Sequence, residues 1–324
     1  MIAQHELQRL INDKIARLPL NAQPHELYEP VRYFMSLGGK RMRPMLVLMG
    51  CELFGGSIED AIDSAIGVEL FHNFTLLHDD IMDNSPLRRA HPTVHEKWNV
   101  NVAILSGDAM FVRACEMMMN ARKDVVQQVM AVFLANALKV CEGQQFDMNY
   151  EQQANINLQS YIRMIELKTA VLLGASLEIG ALLGGAKESD AKLLYEFGRN
   201  IGIAFQLQDD ILDVYGDEQK FGKQKGRDIV ANKKTFLMIK ALEMANSYTQ
   251  EELRNWMQAT RFVEKEKVKA VTAIYDFLGV RALAQKEMMN YFEKGMQALE
   301  QIQTVAHRKK DLVELAESLM VREN

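Results

Sequence analysis

Residues 189–216 read SDAKLLYEFGRNIGIAFQLQDDILDVYG. Apolar positions recur every three to four residues along this stretch, Ser189 or Asp190 offers a cap at its start, and Gly216 offers a stop. The spacing predicts one long helix that carries Asp209, Asp210 and Asp213 near its end. A second apolar helical pattern, from Asp60 to Asp83, ends on Asp79, Asp80 and Asp83. Helical geometry places the three carboxylates of each box at about 0°, 100° and 40° around the axis, so each trio is expected to share one face. Carboxylates crowded in an interior raise their own pKa values and neutralise unless cations occupy the space between them. Mg²⁺ suits such a place, because it binds one or two carboxylates and completes its shell from water and phosphate oxygens.

Working outward from these two stretches, the proline distribution fixes the fold class. All six prolines (Pro19, Pro24, Pro30, Pro44, Pro86, Pro92) lie in the first 92 residues, and the rest of the chain has none. A long proline-free stretch rich in Ala, Leu, Met, Glu, Gln and Lys is what stacked helices require. The chain is read as all-α and as a single domain over residues 1–324. Helices are expected over 1–20, 28–37, 45–53, 60–83, 103–121, 124–148 and 158–184, with several more between 234 and 322. Gly107 is expected to mark a break, and 84–93 is the irregular segment within the core region.

With 48% hydrophobic residues the chain can bury a sizeable core, and 20 methionines serve as flexible filler. A formal net charge of −5 argues against nucleic-acid binding. The three cysteines (Cys51, Cys115, Cys141) show no metal-ligand spacing and fit reduced thiols in a cytoplasmic protein. The first ten residues carry His5, Glu6 and Arg9 and are no signal peptide; the stretch 170–185 falls short of the ~20 residues a membrane span needs.

Cationic groups accompany both boxes. The first runs through Asn84-Ser85-Pro86-Leu87 into Arg88 and Arg89, whose planar guanidiniums match phosphate oxygens. Upstream, GGKRMRP at 38–44 sets two glycines, Lys40, Arg41 and Arg43 at a helix start, where backbone and dipole both favour an anion. Lys40 and Arg43 can face one way while Arg41 faces another. His72 lies two helical turns before Asp79, within about 20° of its direction. Lys168-Thr169, Gln206, and a glycine-lysine loop at 216–228 containing Lys223 surround the second box, with Lys233 and Lys234 beyond it.

Taken in order, GGKRMRP at 38–44, DDIMDNSPLRR at 79–89, GQ at 143–144, KT at 168–169 and FQLQDDILDVYGD at 205–217 resemble the trans-isoprenyl diphosphate synthases, the polyprenyl synthetase family. The resemblance covers roughly residues 38 to 234. It implies an all-helical bundle around a deep central cavity, a homodimer, and condensation of isopentenyl diphosphate with an allylic diphosphate (dimethylallyl, geranyl or farnesyl) assisted by Mg²⁺. It implies Asp79, Asp83 and Asp209 as main metal ligands, with Asp80, Asp210 and Asp213 supporting; six carboxylates balance three divalent ions. Lys40, Arg43, His72 and Arg89 match the isopentenyl side. Arg88, Lys168, Thr169, Gln206, Lys223 and Lys233 match the allylic side, where Arg88, Lys168 and Lys233 would neutralise the departing diphosphate. The family has Gly after the arginine pair where this chain has Ala90, and a small backbone adjustment is expected there.

Product length in this family depends on residues just before the first box. Here Phe74 stands five positions before Asp79 and Thr75 four, a bulky residue with a small neighbour, which resembles the twenty-carbon members. On a straight helix Phe74 lies about 140° from Asp79, with Thr75 and Phe71 nearer, within about 40° and 80°. Geranylgeranyl diphosphate is therefore the expected product, with farnesyl diphosphate, a longer polyprenyl product or a non-catalytic partner subunit as the alternatives.

Overall fold

The computed structural model describes residues 2–153, 155–216 and 225–321. Among them the chain is helical apart from one two-stranded hairpin, Leu87–Arg88 against His91–Pro92. It comprises two compact units. The first contains residues 1–137, 175–195 and 303–308, and the second contains 138–174, 196–302 and 309–324.

In the first unit α1 (Gln4–Ala16), α2 (His25–Ser36) and α3 (Met42–Leu53) lead to α4 (Ile58–Met82). Ser57 caps α4 by accepting from the Asp60 N–H at 3.4 Å. Buried positions surround α4 from Ala61 to Phe71, then narrow to Asn73, Leu77 and Asp80, three or four residues apart, as the helix emerges at its C-terminal end. After the hairpin and the short α5 (Val94–Lys97), α6 (Val100–Met119) packs along α4. Gly107 does not break α6. It lies inside the helix because a Cβ there would stand 2.3 Å from His78 Nε2 on α4. Pro30 likewise sits within α2, which begins three residues earlier than the proline pattern predicts.

The second unit takes α8 (Leu158–Ile165) from α7 (Val126–Gln152), then a π-helical turn (Glu166–Ala170) before α9 (Val171–Leu183). One continuous helix over 158–184 is thus replaced by two helices joined by a wider turn. The long helix read from the opening stretch is α10 (Glu188–Tyr215). From its second-unit portion Ile203, Leu207 and Ile211 enter a core shared with Tyr161, Met164, Phe236, Val271 and Tyr275. No helix of the described residues is long and apolar enough to cross a membrane.

Candidate active site

The first box closes α4, and Asp83 is its C-terminal cap residue. A helix C-terminus carries roughly half a negative charge, so carboxylates there call for cations. The three do not share one face. Asp80 continues the buried stripe of Asn73 and Leu77 and is 1% exposed, whereas Asp79 is half-buried and Asp83 exposed. Arg88 grips Asp80 from the hairpin, its Nε 3.0 Å and its Nη2 2.6 Å from Oδ1. Burial raises the Asp80 pKa and the Arg88 pairing opposes that rise. Asp80 thereby fixes where Arg88 lies, while Asp79 and Asp83, one helical turn apart, project together.

The arginine pair turns on a two-residue connection. Arg89 and Ala90 have φ of 53° and 65°, the left-handed pair that a type I′ hairpin needs. The adjustment expected at Ala90 is therefore a residue held where glycine is unstrained. Gly39 makes room for Arg89, since a Cβ there would lie 2.9 Å from its Nη2. Arg41 faces inward: its Nη1 donates to Glu69 Oε1 at 2.6 Å, its Nη2 to the Met35 carbonyl at 2.7 Å, and its Nε to Asn12 at 3.2 Å. Asn73 also donates to Glu69 Oε1, at 3.0 Å. Lys40, before this anchor, is exposed.

Arg43 Nη1 lies 3.2 Å from His72 Nε2. A guanidinium only donates, so Nε2 accepts and the ring hydrogen sits on Nδ1. Burial pushes the His72 pKa well below its ordinary value, and the Arg43, Arg89, Arg88 and Arg41 charges push it further. His72 is neutral, and the cluster keeps the full charge of its guanidiniums. Burial lowers Arg43 to about 10, against the pull of Glu69, and its Nε is a buried donor without an acceptor among the described residues. Four guanidiniums acting on a neutral imidazole, with the Arg43 Nε donor unmet among the described residues, suit an anion.

Beneath this end of α4 lies a cluster of phenyl rings. Phe74 is 5.6 Å from Phe71 and 5.5 Å from Phe111, centroid to centroid, and Phe71 is 5.4 Å from Phe133. The Thr75 hydroxyl turns back to the His72 carbonyl at 2.8 Å. Phe111 and Phe133 went unrecognised in the sequence because an apolar residue on α6 or α7 looks like any other core residue.

In the second unit the box again splits. Asp210, 4% exposed, accepts at Oδ2 from the Tyr161 hydroxyl and from the Phe236 N–H at 3.3 Å. Asp213 accepts at Oδ2 from the Asp228 N–H at 3.0 Å, and its carbonyl accepts from the Gly226 N–H at 2.7 Å. Burial pushes Asp210 up to about 7 and Asp213 up to about 6, and the nearby Asp228 carboxylate adds to both. Asp209 is half-buried.

Lys168 occupies the π-helical turn, and its Nζ reaches Asp147 Oδ2 at 2.6 Å. Gly143 allows that turn to approach α7, because a Cβ there would be 2.3 Å from the Lys168 backbone nitrogen. This is the physical content of the GQ and KT pairs. Lys168, Thr169, Gln206, Asp210, Asp228 and Lys233 line a cavity of about 980 Å³, large enough for a small organic ligand. Lys233 Nζ is 3.8 Å from Asp228 Oδ1, whereas Lys234 caps α7 through the Tyr150 and Glu151 carbonyls at 2.6 and 3.0 Å. Lys223 lies outside the described residues. Tyr161 and Asp147 were not legible as site residues, being isolated in sequence and brought in only by the fold, and Asp228 was visible only as the end of the glycine-lysine loop.

Among the described residues no three His, Cys, Asp or Glu side chains converge into a ready-made metal cage. Mg²⁺ takes one or two protein carboxylates and draws its remaining ligands from water and phosphates. Asp79 with Asp83, and Asp209 with Asp213, present hard carboxylate oxygens near helix ends.

A sequence profile described as polyprenyl synthetase matches residues 24–275. The chain belongs to the polyprenyl synthetase family. It is 36% identical over 303 residues to a geranylgeranyl diphosphate synthase of Methanosarcina mazei, covering 93% of this chain and 91% of that one. A crystal structure of a geranylgeranyl pyrophosphate synthase superposes with a TM-score of 0.94 at 40% identity, with complete coverage of both chains. A second, from Pyrococcus horikoshii, gives a TM-score of 0.92 at 35% identity over 98% of this chain and 97% of the other. This polyprenyl synthetase is an enzyme, a chain-elongating trans-prenyltransferase.

Proposed function

We propose that the enzyme condenses isopentenyl diphosphate with an allylic diphosphate to give geranylgeranyl diphosphate, working as one catalytic domain. The observation that carries the reading is the turn after α4, where carboxylates able to bind metal run directly into an arginine hairpin anchored on the same box. Metal and phosphate ligands adjoin there without a protein nucleophile or general base among them.

In this reading Lys40, Arg43, His72 and Arg89 bind the isopentenyl diphosphate; the neutral imidazole accepts from Arg43 and holds its fork in place. Arg88, Lys168, Thr169, Gln206 and Lys233 bind the allylic diphosphate, with Lys168 exchanging Asp147 for phosphate oxygen. When bound, Mg²⁺, three ions per site, supplies the charge that lets the allylic diphosphate depart. Asp79, Asp83 and Asp209 would hold it, with Asp80, Asp210 and Asp213 behind them. Arg88, Lys168 and Lys233 neutralise the leaving group, and the phenyl rings below α4 keep water from the allylic cation. The isopentenyl double bond attacks that cation, and a proton leaves to the released diphosphate.

Phe71, Phe74 and Thr75 limit the chain, Phe74 closing the path with Phe111 behind it. We further propose a homodimer, supported by Leu105, Val112 and Met119, seven residues apart along α6 and 60%, 58% and 59% exposed. Among the described residues Cys51, Cys115 and Cys141 form no disulfide, which supports a cytoplasmic setting. The test is incubation of purified enzyme with Mg²⁺, labelled isopentenyl diphosphate and each allylic primer, followed by chromatography. Twenty-carbon product is expected, and Phe74→Ala should extend it by one or more five-carbon units. An unchanged product from Phe74→Ala removes Phe74 from the chain-length role, and no elongation by the enzyme alone overturns the reading.

A further inference from the structure

Lys267 is a buried ammonium, 0% exposed, that no carboxylate neutralises within ion-pairing distance among the described residues. Its Nζ donates to Asn232 Oδ1 at 2.7 Å and to the Val230 carbonyl at 3.3 Å, and stands 4.3 Å from the centre of the Phe262 ring. Burying a cation against neutral acceptors is unfavourable, and an apolar side chain would fill the space at lower cost. What the ammonium holds explains its presence.

Both acceptors belong to the turn that follows the second box. Val230 ends the short helix Arg227–Val230, whose last carbonyls have no partner within the helix. Asn232 has φ of 55°, and its amide is used at both ends, accepting from Lys267 and donating from Nδ2 to the Met257 carbonyl at 3.0 Å. Gly226 opens the turn at φ 72°, and a Cβ there would strike Val268, the neighbour of Lys267, at 2.6 Å. The same turn supplies the Gly226 and Asp228 N–H groups that hold Asp213, carries the Asp228 carboxylate, and ends on Lys233.

We propose that Lys267 is a positioning residue for prenyl transfer, fixing the Gly226–Lys233 turn and through it the orientation of Asp213, Asp228 and Lys233. The inference rests on the reading of Asp213 and Lys233 as belonging to the metal and allylic-diphosphate side of the reaction. Lys267 touches no substrate.

The test compares Lys267→Met, Lys267→Arg and Asn232→Gly with the parent enzyme. Glycine keeps the left-handed backbone while removing the acceptor. The measurements are Mg²⁺ titrations of the rate, KM for each substrate, and the rise in Tm produced by Mg²⁺ with inorganic diphosphate. Lys267→Met and Asn232→Gly should each raise half-saturating Mg²⁺ and the allylic KM about fivefold or more, shrink the Tm rise, and leave the isopentenyl KM within about twofold. The double variant should be no worse than either single one, and Lys267→Arg should recover most of the loss. If Lys267→Met does not fold, Asn232→Gly carries the test alone. A lowered Tm with parental Mg²⁺ dependence and parental KM values overturns the proposal, leaving Lys267 a packing residue. A parent enzyme that elongates nothing sinks the functional reading instead, a result visible before any variant is made.

Discussion

The two aspartate boxes have nearly the same sequence, yet the structure supports their middle carboxylates by opposite means. Asp80 meets a guanidinium, with Arg88 closing on it through two nitrogens. Asp210 meets a phenol and a backbone N–H, and a further carboxylate, Asp228, stands nearby. The middle carboxylate of the first box therefore meets a cation, whereas that of the second meets neutral donors. In chemical terms Asp80 also aims an arginine, while Asp210 is held by a phenol and a backbone N–H. The split follows from helical periodicity: Asp80 continues the stripe of Asn73 and Leu77, and Asp210 that of Ile203 and Leu207, turning each inward.

The largest expected effect tests what the boxes share. Asp79→Ala and Asp209→Ala should each lower kcat by about 10³-fold or more, since each removes a ligand for charge that develops only on ionisation. Half-buried and near helix ends, neither change should lower the Tm by more than a few degrees. A variant that kept a tenth of the parental kcat would take that box out of the chemistry.

Stability should then separate the boxes. Asp80→Ala strands the Arg88 guanidinium, and because Arg88 is 29% exposed the loss should be about 2 kcal/mol, below the full value for a buried pair. Asp210→Asn keeps an oxygen for Tyr161 and Phe236 and removes repulsion from Asp228, so without metal at pH 8 it should cost less than about 1 kcal/mol or stabilise. Denaturant unfolding in a chelator measures both. Equal losses would erase the distinction.

The same asymmetry gives the metal-free enzyme a pH dependence. Asp210 is raised from 3.8 to about 7 and Asp213 to about 6, so the folded state retains protons that the unfolded chain has released. Stability should therefore fall as pH rises from about 4 to about 7 and level off above that, at up to about 1.4 kcal/mol per pH unit for each group in its own window. Asp210→Asn should remove the slope between pH 6 and 7 and roughly halve it below 6, where Asp213 still contributes. Mg²⁺ binding requires the ionised carboxylates, so its half-saturating concentration should fall over the same rise in pH. A parent and an Asp210→Asn variant with superimposable melting profiles would show that Asp210 does not titrate there.

How much of this was legible in the sequence depends on how far each feature reaches along the chain. The helical class and both boxes were readable because periodicity, caps and the absence of proline are local. The inward turn of Asp80 and Asp210 was not, since a box viewed alone has no inside; the burial of Asn73 and Leu77 had to supply one. Lys168 and Gly143 were visible as motif letters, but their meaning, a π-helical turn against a bare stretch of α7, needs two helices together. Tyr161, Asp147 and Lys267 are single residues tens of positions from what they hold, and no spacing announces them. Spacing within a readable motif already turned Arg41 away from Lys40 and Arg43, and its acceptors Glu69, Met35 and Asn12 supply what it turns toward.

The smallest effect concerns the turns that follow the boxes, which again differ. The turn after the second box has glycine at its left-handed opening position, Gly226, whereas the hairpin after the first has Ala90 at φ 65°. Alanine in that region costs about 1 kcal/mol against its Cβ, partly offset because glycine gains freedom when the chain unfolds. Ala90→Gly should thus stabilise the enzyme by roughly 0.5 kcal/mol, read as a higher denaturation midpoint at unchanged slope. Activity should stay within about twofold, because Arg88 is held by Asp80 whether or not the hairpin is strained. A large gain in activity would mean that the strain at Ala90, and not the Asp80 pairing, sets where Arg88 points, and the first box would then resemble the second in depending on its turn.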